Sequence, residues 1–411
     1  MRFSRVLARA LDARSARVPC DVSAIEKELA LRIPTPRVTT LLCVALLAVA
    51  GAPSRAAAAK PKPAPNPAAA RPVPATNAPR EGDFVLKDFK FRSGETLPEL
   101  KLHYLTLGAP RRDSTGNIAN AVLILHGTGG TGRQFLSPQF ANVLYPAGGL
   151  LDTTRMYLIL PDGIGHGRSS KPSDGLKMKF PKYDYDDMVE AQYRLVTEYL
   201  GVKKLRLVMG TSMGGMQTWV WAEAHPEAMR ALMPLACNPV ELAGRNRLWR
   251  AMIVDAIKSD PAWHDGDYVN PPSSGLRTAA DLLIIAGTAP ALMQREMPKR
   301  DTVERYLDRT LASRMAQLDA NDLLYQIDAS RDYNPEPNLE KITAPLVWVN
   351  SADDFINPPE LDFAAKLMPR VKHGRFVLIP ASDRTHGHGT HTWAEFWKDE
   401  LAALLKDSEG P

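Results

Sequence analysis

The sequence predicts an α/β fold: a mostly parallel sheet with helices on both faces and an inserted helical cap. Three observations lead there. Short apolar runs alternate with segments of helical spacing along much of the chain. One of these runs, Leu205–Met209, leads into Gly210-Thr211-Ser212-Met213-Gly214-Gly215 and then into a helical stretch, Met216–His225, that stops before Pro226. From about Val240 to Asn338 the pattern is helical with no convincing strand, and strands resume afterwards.

The first elements are strands. Phe84–Phe91 and Leu100–Leu107 alternate apolar and polar residues around the turn signal Ser93-Gly94. Ala121–Leu125 and Met156–Leu160 are continuous apolar runs, the pattern of strands buried on both faces. Asp186–Leu200 has Met188, Ala191, Leu195 and Leu200 at helical spacing. Leu205–Met209, Ala231–Ala236, Leu346–Val349 and Arg375–Ile379 complete the sheet, and Trp393–Leu405 closes the chain as an amphipathic helix. The organisation is therefore a leader over 1–59, a Pro/Ala-rich linker over 60–81, a core made of 82–239 and 339–408, and a cap over 240–338.

The leader carries Arg32 and Arg37, then no charge from Val38 to Ser54, then small residues with a cleavage site near Ala56–Ala59. That is the layout of a secretory signal, which places the mature protein in the periplasm or outside the cell. An uncleaved signal segment is the only membrane attachment expected. The linker residues Pro61, Pro63, Pro65 and Pro67 keep that stretch extended. The first 58 residues hold 9 of the 51 basic and 4 of the 46 acidic side chains, so the remainder balances at 42 of each. Such balance, with no basic patch interleaved with aromatics, excludes a nucleic-acid partner. Cys237 is the one cysteine beyond the leader, so no disulfide forms within the mature chain.

The chemistry centres on Ser212. A strand, G-x-S-x-G and a helix force a sharp reversal that lifts the serine hydroxyl out of the sheet. The Met213 amide at the helix N-terminus can then face a developing oxyanion. The glycine-rich loop His126-Gly127-Thr128-Gly129-Gly130 follows the first buried strand and offers the Thr128 amide as second donor. That loop lacks the G-K-[ST] ending of a phosphate cradle. His126 reads as structural, and Asp162–Ser170 as a tight glycine turn. In this architecture the acid and the base follow the serine, each after a late strand. Asp353 and Asp354 both qualify as acid, after Leu346–Val349. Among His386, His388 and His391, His388 has glycine on both sides and so the freest reach. The rival reading of H-x-H-x-x-H as a metal site has no matching cluster elsewhere. No metal and no cofactor are expected.

The residues from Phe84 to Leu405 resemble the homoserine O-acetyltransferase branch of the α/β-hydrolase superfamily. The resemblance rests on Ser212-Met213-Gly214-Gly215-Met216-Gln217, on Leu102–Gly108, and on Asp260-Pro261, Trp263, Gly266 and Tyr268 in the cap. It implies an α/β-hydrolase fold. The acid of its D-x-x-x-P-P pattern falls on Asp354, ahead of Pro358-Pro359, and its G-H pair on Gly387-His388. The family passes an acyl group from acyl-CoA through the serine to the hydroxyl of homoserine. Where the acetyltransferases carry T-Y-R-S, this chain reads Leu283–Pro290, and Gly389 replaces the usual Asp after the histidine. The expectation is an exported serine hydrolase acting on a small-molecule ester through Ser212, His388 and Asp354. An O-acyltransferase of the homoserine type is the alternative, and a fold kept only for binding is a third. A homodimer stays open.

Overall fold

The computed structural model describes residues 78–409, so the leader and most of the linker lie outside the described residues. An eight-stranded sheet forms the centre: β1 (Arg80–Lys90), β2 (Thr96–Gly108), β3 (Ala121–Leu125), β4 (Tyr157–Pro161), β5 (Leu207–Thr211), β6 (Leu232–Leu235), β7 (Leu346–Ser351) and β8 (Gly374–Ile379). Their order across the sheet is β1-β2-β4-β3-β5-β6-β7-β8. β1 and β2 pair antiparallel, as do β2 and β4, and every later pairing is parallel. The first strand starts at Arg80, opposite Thr106, four residues ahead of the expected Phe84.

Why β3 and β5 read as unbroken apolar runs is visible in the packing. Successive side chains point to opposite faces of a sheet. Leu123 and Leu125 join one core with Trp219, Trp221 and Trp348. Val122 and Ile124 join the other with Phe140, Trp397 and Leu401. The helices α1 (Pro138–Leu144), α2 (Tyr185–Arg194) and α3 (Met213–Ala224) cover these faces. α3 is buried on nearly its whole circumference, which is why its composition shows no polar stripe.

The cap contains α4 (Gly244–Lys258), α5 (Ser273–Ala286), α6 (Pro290–Glu296), α7 (Arg300–Met315) and α8 (Ala320–Asp328), with no strand. It has a core of its own in Trp249, Ile253, Trp263, Leu276 and Leu324. α8 ties it to the sheet layer: Asp322 accepts from the Ser173 amide at 2.8 Å and the Ser173 hydroxyl at 2.7 Å. α9 (Phe363–Leu367) and α10 (Lys398–Asp407) complete the fold. No single helix among the described residues is long and apolar enough to cross a membrane.

Three expected helix boundaries shift. α2 ends at Arg194 and is followed by a π turn, Leu195–Tyr199, within the expected span to Leu200. α3 starts at Met213 rather than Met216, so Gly214 and Gly215 lie inside the helix. The closing helix begins at Lys398, because 3₁₀ turns occupy Gly387–Thr392 and Ala394–Phe396.

Candidate active site

Close packing at the elbow explains its glycines. A Cβ on Gly210 would lie 2.1 Å from the Gly214 carbonyl oxygen, and one on Gly214 2.0 Å from that of Leu125. No side chain fits there, so β5 and α3 meet backbone to backbone. The reversal places Ser212 at φ 56°, ψ −114°, a conformation that L-residues rarely adopt. Its amide donates to the Leu235 carbonyl at 2.8 Å, which anchors the strained residue to β6.

The two late loops converge on it. The Ser212 hydroxyl donates to His388 Nε2 at 2.8 Å. His388 Nδ1 donates to Asp354 Oδ2 at 2.9 Å. Asp354 is buried, and accepts as well from the Ile356 amide at 2.7 Å and from Asn357 Nδ2 at 3.0 Å. Burial acts to raise its pKa, but His388, Asn357 and the Ile356 amide outweigh that and hold it below its ordinary value. Asp354 is therefore an ionised acceptor at neutral pH. The proton it faces sits on Nδ1, which leaves the Nε2 lone pair toward the serine.

Asn357 went unnoticed in the sequence. It bridges Asp354 and the Ala236 carbonyl, at 3.0 and 2.9 Å, and so fixes the acid against the end of β6. A lone asparagine in a loop gives no sequence signal for this. Asp353 points elsewhere, to Ser351, Thr385 and Gly387.

The other two histidines of the loop have separate partners. His386 stacks on Trp393 with ring centroids 4.2 Å apart. His391 packs beside His388, and burial, with a contribution from His388, pushes its pKa down to about 3. Among the described residues no three His, Cys, Asp or Glu side chains are grouped to hold a metal ion.

Met213 opens α3, and Gly127 lies against the serine: a Cβ there would sit 3.5 Å from Ser212 Cβ. Neither the Met213 nor the Thr128 amide donates to another described residue. His126 is buried, and its Nε2 accepts from the Gly163 amide at 2.9 Å, which ties the β3 loop to the β4 loop. His166 is also buried, and Arg168 pairs with Glu81 on the surface. Neither lines the cavity beside Ser212.

That cavity has a volume of about 1020 Å³. The core supplies Met216 and Ala236 to its wall, the acid loop Phe355, and the cap Ile285 and Pro290. The cap also presses on the histidine loop: a Cβ on Gly387, at φ 58°, would lie 2.9 Å from the Thr288 carbonyl oxygen. A serine, an imidazole and a carboxylate in line at the wall of a capped cavity can carry out acyl transfer.

The fold and the cavity define a hydrolase or acyltransferase of the α/β-hydrolase type. The chain belongs to the α/β-hydrolase family, whose description, alpha/beta hydrolase fold, matches residues 120–382. Its branch is the one containing the homoserine O-acetyltransferases. It is 30% identical over 292 residues to a probable acyltransferase of Methanothermobacter thermautotrophicus, spanning 70% of this chain and 88% of the relative. It is 31% identical over 316 residues to the homoserine O-acetyltransferase of Pelobacter propionicus, spanning 68% and 84%. Two solved structures share the fold. Homoserine O-acetyltransferase from Bacillus anthracis superposes with a TM-score of 0.70 at 20% identity, covering 80% of this chain and 97% of that one. Esterase E22 superposes with a TM-score of 0.70 at 21% identity, covering 80% and 100%.

Proposed function

We propose that the protein is an exported serine hydrolase that cleaves a small-molecule ester through an acyl-enzyme. The observation that carries this reading is the unbroken line from Ser212 Oγ through the His388 ring to Asp354, at 2.8 and 2.9 Å. Ser212 Oγ attacks the ester carbonyl while His388 Nε2 takes its proton. The Met213 and Thr128 amides receive the oxyanion. Collapse of the tetrahedral adduct breaks the ester C–O bond, and His388 returns the proton to the departing alcohol. A water then attacks the acyl-enzyme, again giving its proton to His388, and the acid leaves as Ser212 is restored. Asp354 keeps its charge throughout and stabilises the imidazolium.

A second reading keeps the acyl-enzyme and replaces water with an alcohol acceptor. It is favoured by the names of the relatives: a probable acyltransferase at 30% identity and a homoserine O-acetyltransferase at 31%. The two readings part at the acyl-enzyme, so product partition separates them. The purified protein is given p-nitrophenyl acetate with and without homoserine, and with and without a chelator. The expected product is free acetate in all four mixtures. Accumulation of O-acetylhomoserine would replace the hydrolase by the transferase, and loss of activity with the chelator would overturn both.

Export is supported by the apolar stretch Leu41–Ala50 behind Arg32 and Arg37. Expressed in a Gram-negative host, the protein is expected in the periplasmic fraction, with a new N-terminus near Ala56–Ala59. A full-length chain in the cytosol would refute export without touching the chemistry.

A further inference from the structure

Asp353 stands beside the proposed relay without belonging to it. It follows the end of the β7–β8 ladder, where Ser351 pairs with Ile379 and the Ala352 amide donates to the Ile379 carbonyl at 2.9 Å. Past that rung the chain leaves the sheet as two loops, one carrying Asp354 and the other His388. No backbone–backbone hydrogen bond joins those loops among the described residues. The Asp353 carboxylate takes over. Its Oδ1 accepts from the Ser351 hydroxyl at 2.5 Å. Its Oδ2 accepts from the Thr385 hydroxyl at 2.8 Å and from the Gly387 amide at 3.1 Å. Thr385 is fully buried, and its Oγ1 accepts in turn from the Ser382 amide at 3.0 Å.

Gly387 is the residue before His388. Its peptide is held by Asp353 on one side, and the cap carbonyl of Thr288 closes the other. We propose that Asp353 is a positioning residue: it clamps the histidine loop to the acid loop and so sets the reach of His388 toward Ser212 and Asp354. The inference rests on the reading of His388 as the base. Asp353 also lines the cavity, and three donors of the protein hold its two oxygens, so the split between kcat and KM distinguishes the clamp from a substrate contact. A catalytic group held by such a second layer loses rate steeply when the layer loosens.

The test uses the full chain with p-nitrophenyl acetate, counting active sites by fluorophosphonate labelling of Ser212. In Asp353→Ala, kcat per active site is expected to fall about 100-fold, the cost of a displacement of about 1 Å, while KM stays within about twofold. Asp353→Asn is expected to retain activity within about threefold. Its Oδ1 can still accept from Thr385 and Gly387, and its Nδ2 can donate to Ser351 Oγ. Thr385→Val removes one donor and is expected to cost about 10-fold in kcat. It carries the test if the alanine variant does not fold.

Unchanged kcat in Asp353→Ala or Thr385→Val overturns the clamp. So does a raised KM with kcat preserved, which marks a substrate contact. An asparagine variant as impaired as the alanine one assigns the effect to charge and also overturns it. A wild-type protein without Ser212-dependent turnover removes instead the reading of His388 on which the clamp depends.

Discussion

Ser212→Ala is expected to lower kcat/KM for p-nitrophenyl acetate by about 10⁴-fold or more, with the fold intact. The size follows from the role: removing the nucleophile of such a relay leaves only what binding and the oxyanion donors supply. Folding is retained because alanine keeps the Cβ, and with it the same backbone demand at φ 56°, ψ −114°. The Leu235 carbonyl keeps its bond from the residue-212 amide in the variant as well. Circular dichroism and a urea midpoint establish the fold, and steady-state kinetics with fluorophosphonate labelling establish the loss. Turnover within tenfold of wild type, or labelling that persists in the variant, would refute Ser212 as nucleophile.

Asp354→Asn is expected to cost about 10⁴-fold in kcat, through the orientation and tautomer of the histidine. The aspartate is an acceptor on both oxygens: Oδ1 takes the Ile356 amide, and Oδ2 takes His388 and Asn357. An asparagine whose Oδ1 stays on the Ile356 amide turns its Nδ2 toward His388 Nδ1. Two donors then meet, the imidazole proton moves to Nε2, and a donor faces the serine where an acceptor is needed. Stability is expected to fall as well, because a carboxylate held below its ordinary pKa favours the folded state at neutral pH and the amide that replaces it turns a donor toward both Asn357 and His388. The measurement is kcat at neutral pH beside a urea midpoint. A variant that keeps a tenth of wild-type kcat would show that His388 does not depend on Asp354.

Much of the sheet was legible in the sequence for one physical reason. Strands covered on both faces leave no room for polar side chains, so Ala121–Leu125 shows its own limits between Asn120 and His126. The elbow was less so. Gly210 and Thr211 read as turn residues, yet both belong to β5, where the glycine marks the close approach of the α3 backbone and not a bend. Gly214 and Gly215 likewise read as loop and sit in α3, where the neighbouring backbones exclude a Cβ. At the far end, Trp393 has helical company in sequence, but it stacks on His386, and Trp397 donates to the His391 carbonyl at 3.1 Å. Those tertiary bonds hold the segment in short turns and delay α10. Of the candidate site, the positions of Ser212 and His388 follow from local pattern. Choosing between Asp353 and Asp354 does not, because adjacent carboxylates in a loop differ only in where their side chains point. The family resemblance selected Asp354, and the contact with His388 falls on the same residue.

The cap leaves the sheet after β6 and returns at β7, and these two strands are neighbours, with Leu232 paired to Leu346 and Leu235 to Val349. The pairing is parallel, so the chain leaves at the Leu235 end and comes back in at the Leu346 end, and the cap is an insertion within one crossover between neighbouring strands. The segment between them has its own core and contributes Ile285 and Pro290 to the cavity, whereas Ser212, His388 and Asp354 all lie outside it. Such a layout separates the shape of the pocket from the groups at its base. Substitutions in the roof can therefore revise which molecules are admitted without touching Ser212, His388 or Asp354.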